Sequence, residues 1–151
     1  MIEDLIKLHL GFHPSMSALI LRLILGIIII AHGYPKLFKK DYSAEGLSGL
    51  LKQQGVPTAT FVAYSVGIVE LFGGILLCVG LLTRICALAI AVDRLVILTK
   101  FKLNTGLKQK VMDGRWVGGY ERDLALAAIA LVLVALGTGK FSIDYQVFHA
   151  W

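Results

Sequence analysis

Ionisable side chains set well inside long apolar blocks constrain this chain more than any other feature. The blocks cover residues 15–32, 59–82, 83–99 and 122–137; Arg22, Glu70 and the pair Asp93-Arg94 interrupt the first three. A membrane-spanning helix needs about 20 predominantly apolar residues, within a range near 17–25. The second block meets that length outright. The others are at its short end, which fits a thin bilayer or flanking lysines that snorkel. A water-soluble bundle of four short helices would keep a polar outer face on each helix. With 57% hydrophobic and 17% charged residues, this chain has too little polar surface for that. Lipid is the expected solvent.

The connections agree with this reading. Residues 2–13 place Leu5, Leu8 and Phe12 on one helical face before Pro14, which predicts a short amphipathic helix lying at the bilayer surface. The acidic start Met1-Ile-Glu-Asp does not suit a secretory signal, so the first block reads as a retained span. Ser43 can cap a small helix ending before Gly55 and Pro57, with Leu47, Leu50 and Leu51 as its apolar stripe. Gly80–Arg84 is a tight turn that makes the second and third spans an antiparallel hairpin. The expected architecture is an all-α, integral membrane four-helix bundle, a single domain over residues 1–151.

Charge orients it. The first and third connections carry Lys36, Lys39, Lys40, Lys52, Lys100, Lys102, Lys108, Lys110 and Arg115, whereas the other side offers Lys7, Arg84 and Lys140. Basic connections stay in the cytoplasm, which predicts a multi-pass protein of the cell membrane with both termini outside. The net charge of +5 is then a matter of topology, and nucleic acid is not an expected partner.

A charge at mid-bilayer costs at least about 2.5–3.5 kcal/mol, so it normally faces the bundle and finds a partner. Arg22 shares a helical face with Gly26 and Ile29; Glu70 lies between Gly67 and Gly74 on one stripe. Glycines allow close helix approach, and the simplest expectation pairs Arg22 with Glu70. Such a pair can fix bundle register, line a quinone or proton site, or meet lipid headgroups. Asp93 and Arg94 project about 100° apart on a helix; the arrangement expected turns Asp93 to the bundle with Cys86 and Ala89, and lets Arg94 snorkel toward the cytoplasm. Tyr120, Glu121, Arg122 and Asp123 form a polar cluster at the start of the fourth block.

His32, at the edge of the first span before Gly33-Tyr34-Pro35-Lys36, can shuttle protons or touch a quinone carbonyl, or simply bond a neighbouring helix end. His9 and His13 are spaced i, i+4 but have no third ligand nearby, so no metal site is expected. No pair of embedded histidines suits haem. Cys78 and Cys86 flank the hairpin turn without a Cys-x-x-Cys pattern, and read as small buried residues or as a pair that meets across the turn.

Several stretches together resemble the DoxX family of small four-helix membrane proteins. They are Leu21-Arg22-Leu23 with Leu25-Gly26, His32-Gly33 with Lys36-Leu37-Phe38, Gly55-Val56-Pro57, Val69-Glu70-Leu71-Phe72-Gly73-Gly74, Gly80-Leu81-Leu82-Thr83-Arg84, Gly119-Tyr120-Glu121, and Gly139-Lys140-Phe141-Ser142-Ile143-Asp144. The resemblance spans roughly residues 17–145 in order. It implies Arg22, His32, Lys36, Glu70, Arg84 and Glu121 as the family's polar positions; the residues themselves add Asp93 to the expected buried polar core, a candidate quinone or proton site, and Lys36 and Tyr120 are expected at the interface. The family's usual pattern has apolar residues at Asp93-Arg94.

The resemblance further implies a subunit of a quinone-linked membrane oxidoreductase system, although no cofactor motif is visible and a quinone is the one ligand it points to. A partner oxidoreductase subunit would complete the activity. The alternative is a non-catalytic membrane anchor or assembly module for a partner enzyme, docking through its basic connections. A transporter or proton pathway through Arg22, Glu70 and Asp93 would require a homo-oligomer, because four short helices make a poor pore.

Overall fold

A computed structural model of the chain describes residues 14–38, 48–49, 51–52, 55, 57–103, 106–108, 110–112, 115–117 and 119–148. The expected amphipathic helix over residues 2–13, with His9 and His13, lies outside the described residues, as does the Ser43 cap. Helix α1 spans Pro14–Phe38, α2 Ala59–Val79, α3 Thr83–Ile97, α4 Glu121–Leu136 and α5 Ile143–Phe148. A π-helical turn, Leu98–Lys102, continues α3. In the connection that follows, strand β1 (Lys110–Met112) pairs antiparallel with β2 (Arg115–Val117), Val111 opposite Trp116. The intervening residues are Asp113-Gly114, a pair that two-residue hairpins favour. Apart from this hairpin, every regular element among the described residues is helical.

Helix ends follow local chemistry. α1 continues six residues beyond the expected boundary at 32, because Pro35 has a helix-compatible φ and loses only its own amide bond within the last turns. α2 stops at Gly80, whose φ of 73° is the left-handed cap conformation. Gly80 N–H donates to Leu77 O at 3.1 Å and Leu81 N–H to Leu76 O at 2.9 Å, the 5→2 and 6→1 bonds that close a helix at a left-handed glycine. The chain then reverses within Leu81-Leu82 and enters α3.

α1 packs against α2 and α4, and α3 against α2 and α4. The four helices thereby surround a core of Leu25, Ile29, Leu77, Ala87, Ile90, Leu126, Ala130 and Leu133. The closest approach is between α1 and α2, where Gly26 faces Gly74 and Cys78, while Gly33 faces Glu70 and Leu71. Cys78 and Cys86 are both free thiols.

Polarity is inverted relative to a soluble domain. Arg22 and Glu70 are fully buried, and Arg94 and Asp123 nearly so, while Ile27, Phe61, Phe72, Ile85 and Val92 face outward, each more than half exposed. Buried charge beneath an apolar exterior matches surroundings of lipid. Two helices, over Ser15–Phe38 and Ala59–Val79, are long and apolar enough to cross a membrane, with mean hydropathy 2.1. α3, of 15 residues, is shorter than the expected span over 83–99, whereas α4, of 16 residues, has the length expected over 122–137 and begins one residue earlier.

Candidate functional site

The buried charges form two separate groups, at opposite ends of the apolar core. The first surrounds Arg22. Its Nη2 donates to Phe141 O at 2.6 Å, and its guanidinium packs so closely under Gly80 that a Cβ there would strike it. The segment carrying Phe141 tucks beneath the α2–α3 turn. Asp144 N–H donates to Gly80 O at 3.0 Å, and the Asp144 carboxylate accepts from Leu82 N–H at 2.8 Å and Thr83 N–H at 2.9 Å. A carboxylate on the first amides of a helix satisfies donors that otherwise lack partners; here the cap of α3 comes from 61 residues away in sequence. Ser142 Oγ in turn accepts from Tyr145 N–H at 3.1 Å and starts α5.

The second group is larger. Glu70 Oε1 accepts from Lys36 Nζ at 2.6 Å and also meets Arg94 Nη2. Arg94 reaches Asp93 Oδ2 through Nη2 at 3.0 Å and Asp123 Oδ1 through Nη1 at 3.4 Å. Three carboxylates from α2, α3 and α4 thus converge on one guanidinium, with a lysine from α1 as the second cation. Glu70 Oε2 is buried and has no hydrogen-bond partner among the described residues. His32 lies one turn before Lys36 on α1, half-buried, its Nδ1 donating to Ile28 O at 2.7 Å. In the neutral ring that bond leaves Nε2 as an acceptor.

Beside this group, a lateral groove of about 620 Å³ lies between α2 and α3, lined by apolar side chains together with Ser65 and Asp93. Its volume suits a small apolar ligand.

The expected pairing of Arg22 with Glu70 does not form. Gly26 opposite Gly74 and Gly33 opposite Glu70 fix an antiparallel register that puts Arg22 beside Gly80, ten residues and about 15 Å along α2 from Glu70. Nor does Arg94 snorkel outward: it is 2% exposed, on the same stripe as the small residues Ala87 and Ala91. Asp93 parts from buried Cys86 but borders the lateral groove together with Ala89, its side chain 10% exposed, and it still reaches its neighbour Arg94, because a long guanidinium bends back over an adjacent residue. Glu121 and Arg84 are exposed, at the starts of α4 and α3, and lie outside the buried polar core expected of them. Tyr120 is half-buried and precedes α4. Lys36, expected at the interface, is the direct partner of Glu70. Asp123, the most buried member of the Tyr120–Asp123 cluster, belongs to the site. Its i+4 and i+7 neighbours Ala127 and Ala130 were the available signal.

The DoxX family model matches residues 17–103, which contain Arg22, His32, Lys36, Glu70, Asp93 and Arg94. The chain belongs to the DoxX family. Among DoxX-like relatives, a Mycobacterium tuberculosis protein named "uncharacterized membrane protein Rv3486" is 29% identical over 93% of this chain and 85% of its own length. A Bacillus subtilis protein named "putative oxidoreductase CatD" is 28% identical over 89% of each. No solved structure matches. This DoxX chain is a membrane protein, and its inward charges with outward apolar side chains are the physical counterpart of that assignment.

Proposed function

We propose that this DoxX protein is the membrane subunit of a quinone-linked oxidoreductase system. The observation that carries the reading is the contact between two unlike environments. A groove open to the side of the helices ends against Asp93, and Asp93 is tied through Arg94 to Glu70 and Lys36. An apolar cleft reachable from lipid, with few polar groups, is the usual form of a site for a hydrophobic ligand. Ionisable residues held inside a bilayer are costly and are kept for proton or ligand traffic. The relative named as an oxidoreductase supports the reaction class.

In this reading the four long helices form the bundle that spans the cell membrane. The basic first and third connections are cytoplasmic and both termini lie outside, with residues 2–13 along the outer surface. Electrons come from a partner subunit, and a homo-oligomer would bury further apolar helix face. Solvent extraction of the protein purified from its native membrane, followed by mass spectrometry, is expected to release quinone in stoichiometric amount. Glu70→Gln, which removes a charge from the cluster, is expected to lower that yield severalfold. Protein that never carries quinone and is not stabilised by added quinone would end the proposal.

A second reading has one observation in its favour. Glu70 is bonded by cations from both α1 and α3, as a device that only fixes helix register would be. The chain would then be an anchor for a partner enzyme. Chemical cross-linking in native membranes would recover that partner, and recovery of none would set this reading aside.

A further inference from the structure

The groove between α2 and α3 has a one-sided hydrogen-bonding character. Phe61, Val69, Leu88 and Val92 supply its apolar wall, and its polar members are Ser65 and Asp93. Ser65 Oγ spends its hydrogen on Phe61 O at 2.9 Å, so the hydroxyl offers an occupant only lone pairs. Asp93, with its side chain 10% exposed, sets Oδ2 3.0 Å from Arg94 Nη2; a guanidinium at that distance favours the carboxylate form, which only accepts. Helical amide N–H groups point along the helix axes, not into a groove between them. The nearest cation, Arg94, does not line the groove, and its guanidinium is taken up by Glu70, Asp93 and Asp123. Among the described residues the wall therefore presents acceptors and no donor.

Resting on the quinone-linked reading above, we infer that this groove binds the reduced, hydroxyl-bearing form of its ligand in preference to the oxidised form. A hydroquinone brings O–H donors that Asp93 and Ser65 can accept. A quinone brings only carbonyl acceptors, which would face those same oxygens lone pair to lone pair. A bond from a neutral donor to a charged acceptor in a site shielded from water is strong relative to an ordinary hydrogen bond. The preference has a thermodynamic corollary: tighter binding of the reduced form makes the bound couple a stronger oxidant than the free couple.

The test uses the full chain in lipid nanodiscs under anaerobic conditions, titrated calorimetrically with decylubiquinol, decylubiquinone and, as a ring without polar groups, decylbenzene. The quinol is expected to bind about tenfold or more tighter than the quinone. Asp93→Asn, whose amide supplies a donor, is expected to bring the two forms within about threefold of each other. Ala89→Phe, which fills the groove and leaves Asp93 intact, is expected to weaken both. Equal binding of the two forms, tighter binding of the quinone, decylbenzene binding as well as the quinol, or an Ala89→Phe protein that binds like wild type would each overturn the inference and leave the quinone-linked reading in place. Failure of both quinol and quinone to bind would overturn that reading as well.

Discussion

Gly33→Ala isolates the contact that positions Glu70. A Cβ at residue 33 would lie 2.5 Å from Leu71 N and 2.9 Å from Glu70 Cβ, and both neighbours belong to or sit directly on the α2 backbone. Ordinary contact begins near 3.4 Å, so α1 and α2 must separate by about 1 Å. Overpacking of this kind costs about 1–3 kcal/mol, and a rigid backbone neighbour puts the cost near the top of that range. Replacing a mid-helix glycine by alanine returns about 1 kcal/mol of helix propensity. The net loss is about 2 kcal/mol, or roughly 4–8 °C in Tm for a chain of this size. Gly73→Ala provides the control: its Cβ would find nothing closer than Ile90 Cδ1 at 3.6 Å, so only the propensity gain remains and Tm should rise by a few degrees. Thermal unfolding of both variants in one detergent, followed by helical circular dichroism, measures the difference. A Gly33→Ala protein as stable as Gly73→Ala would refute the close α1–α2 register, and with it the placement of Lys36 against Glu70.

Arg94→Leu should be the most damaging change in the charge cluster, about 3–5 kcal/mol, because it removes the guanidinium on which Glu70, Asp93 and Asp123 converge. Chemical denaturation checks this, and Glu70→Leu added to Arg94→Leu should recover part of the loss. Asp144→Ala removes the cap on Leu82 and Thr83 and is expected to cost about 0.5–2 kcal/mol; amide exchange should rise first at the start of α3. For orientation, a cysteine introduced at Lys108 should react with a membrane-impermeant maleimide only in inverted vesicles, whereas labelling of intact cells would reverse the proposed topology.

The helices were legible because their signals are local. Apolar blocks and the left-handed Gly80 mark segment and turn directly. The partner of each buried charge was less so, since pairing depends on the register between helices, which no single segment contains. One clue was present: Gly26 and Gly33 share the seven-residue spacing of Gly67 and Gly74. In the antiparallel packing Gly26 meets Gly74 and Cys78, Gly33 meets Glu70 and Leu71, and Gly67 meets Leu37 and Lys36, which brings Glu70 to Lys36 and carries Arg22 to the far end. Adjacent Asp93 and Arg94 cannot both take the inward direction, and Arg94 takes it because the buried Ala87 and Ala91 make its stripe the narrow one. The role of Asp144 could not be read locally, because its acceptor oxygens serve amides from a turn 61 residues earlier.

The long-range seat of Arg22 imposes an order on assembly. The guanidinium enters the bilayer with the first helix, but the carbonyl that receives it belongs to a residue made 119 positions later. During most of synthesis that charge has no permanent host within the chain. Headgroups, water or the insertion machinery must shelter it until the segment around Phe141 emerges and folds inward. Completion of the fold is therefore a late event, because Arg22 gains its carbonyl only once that segment is in place.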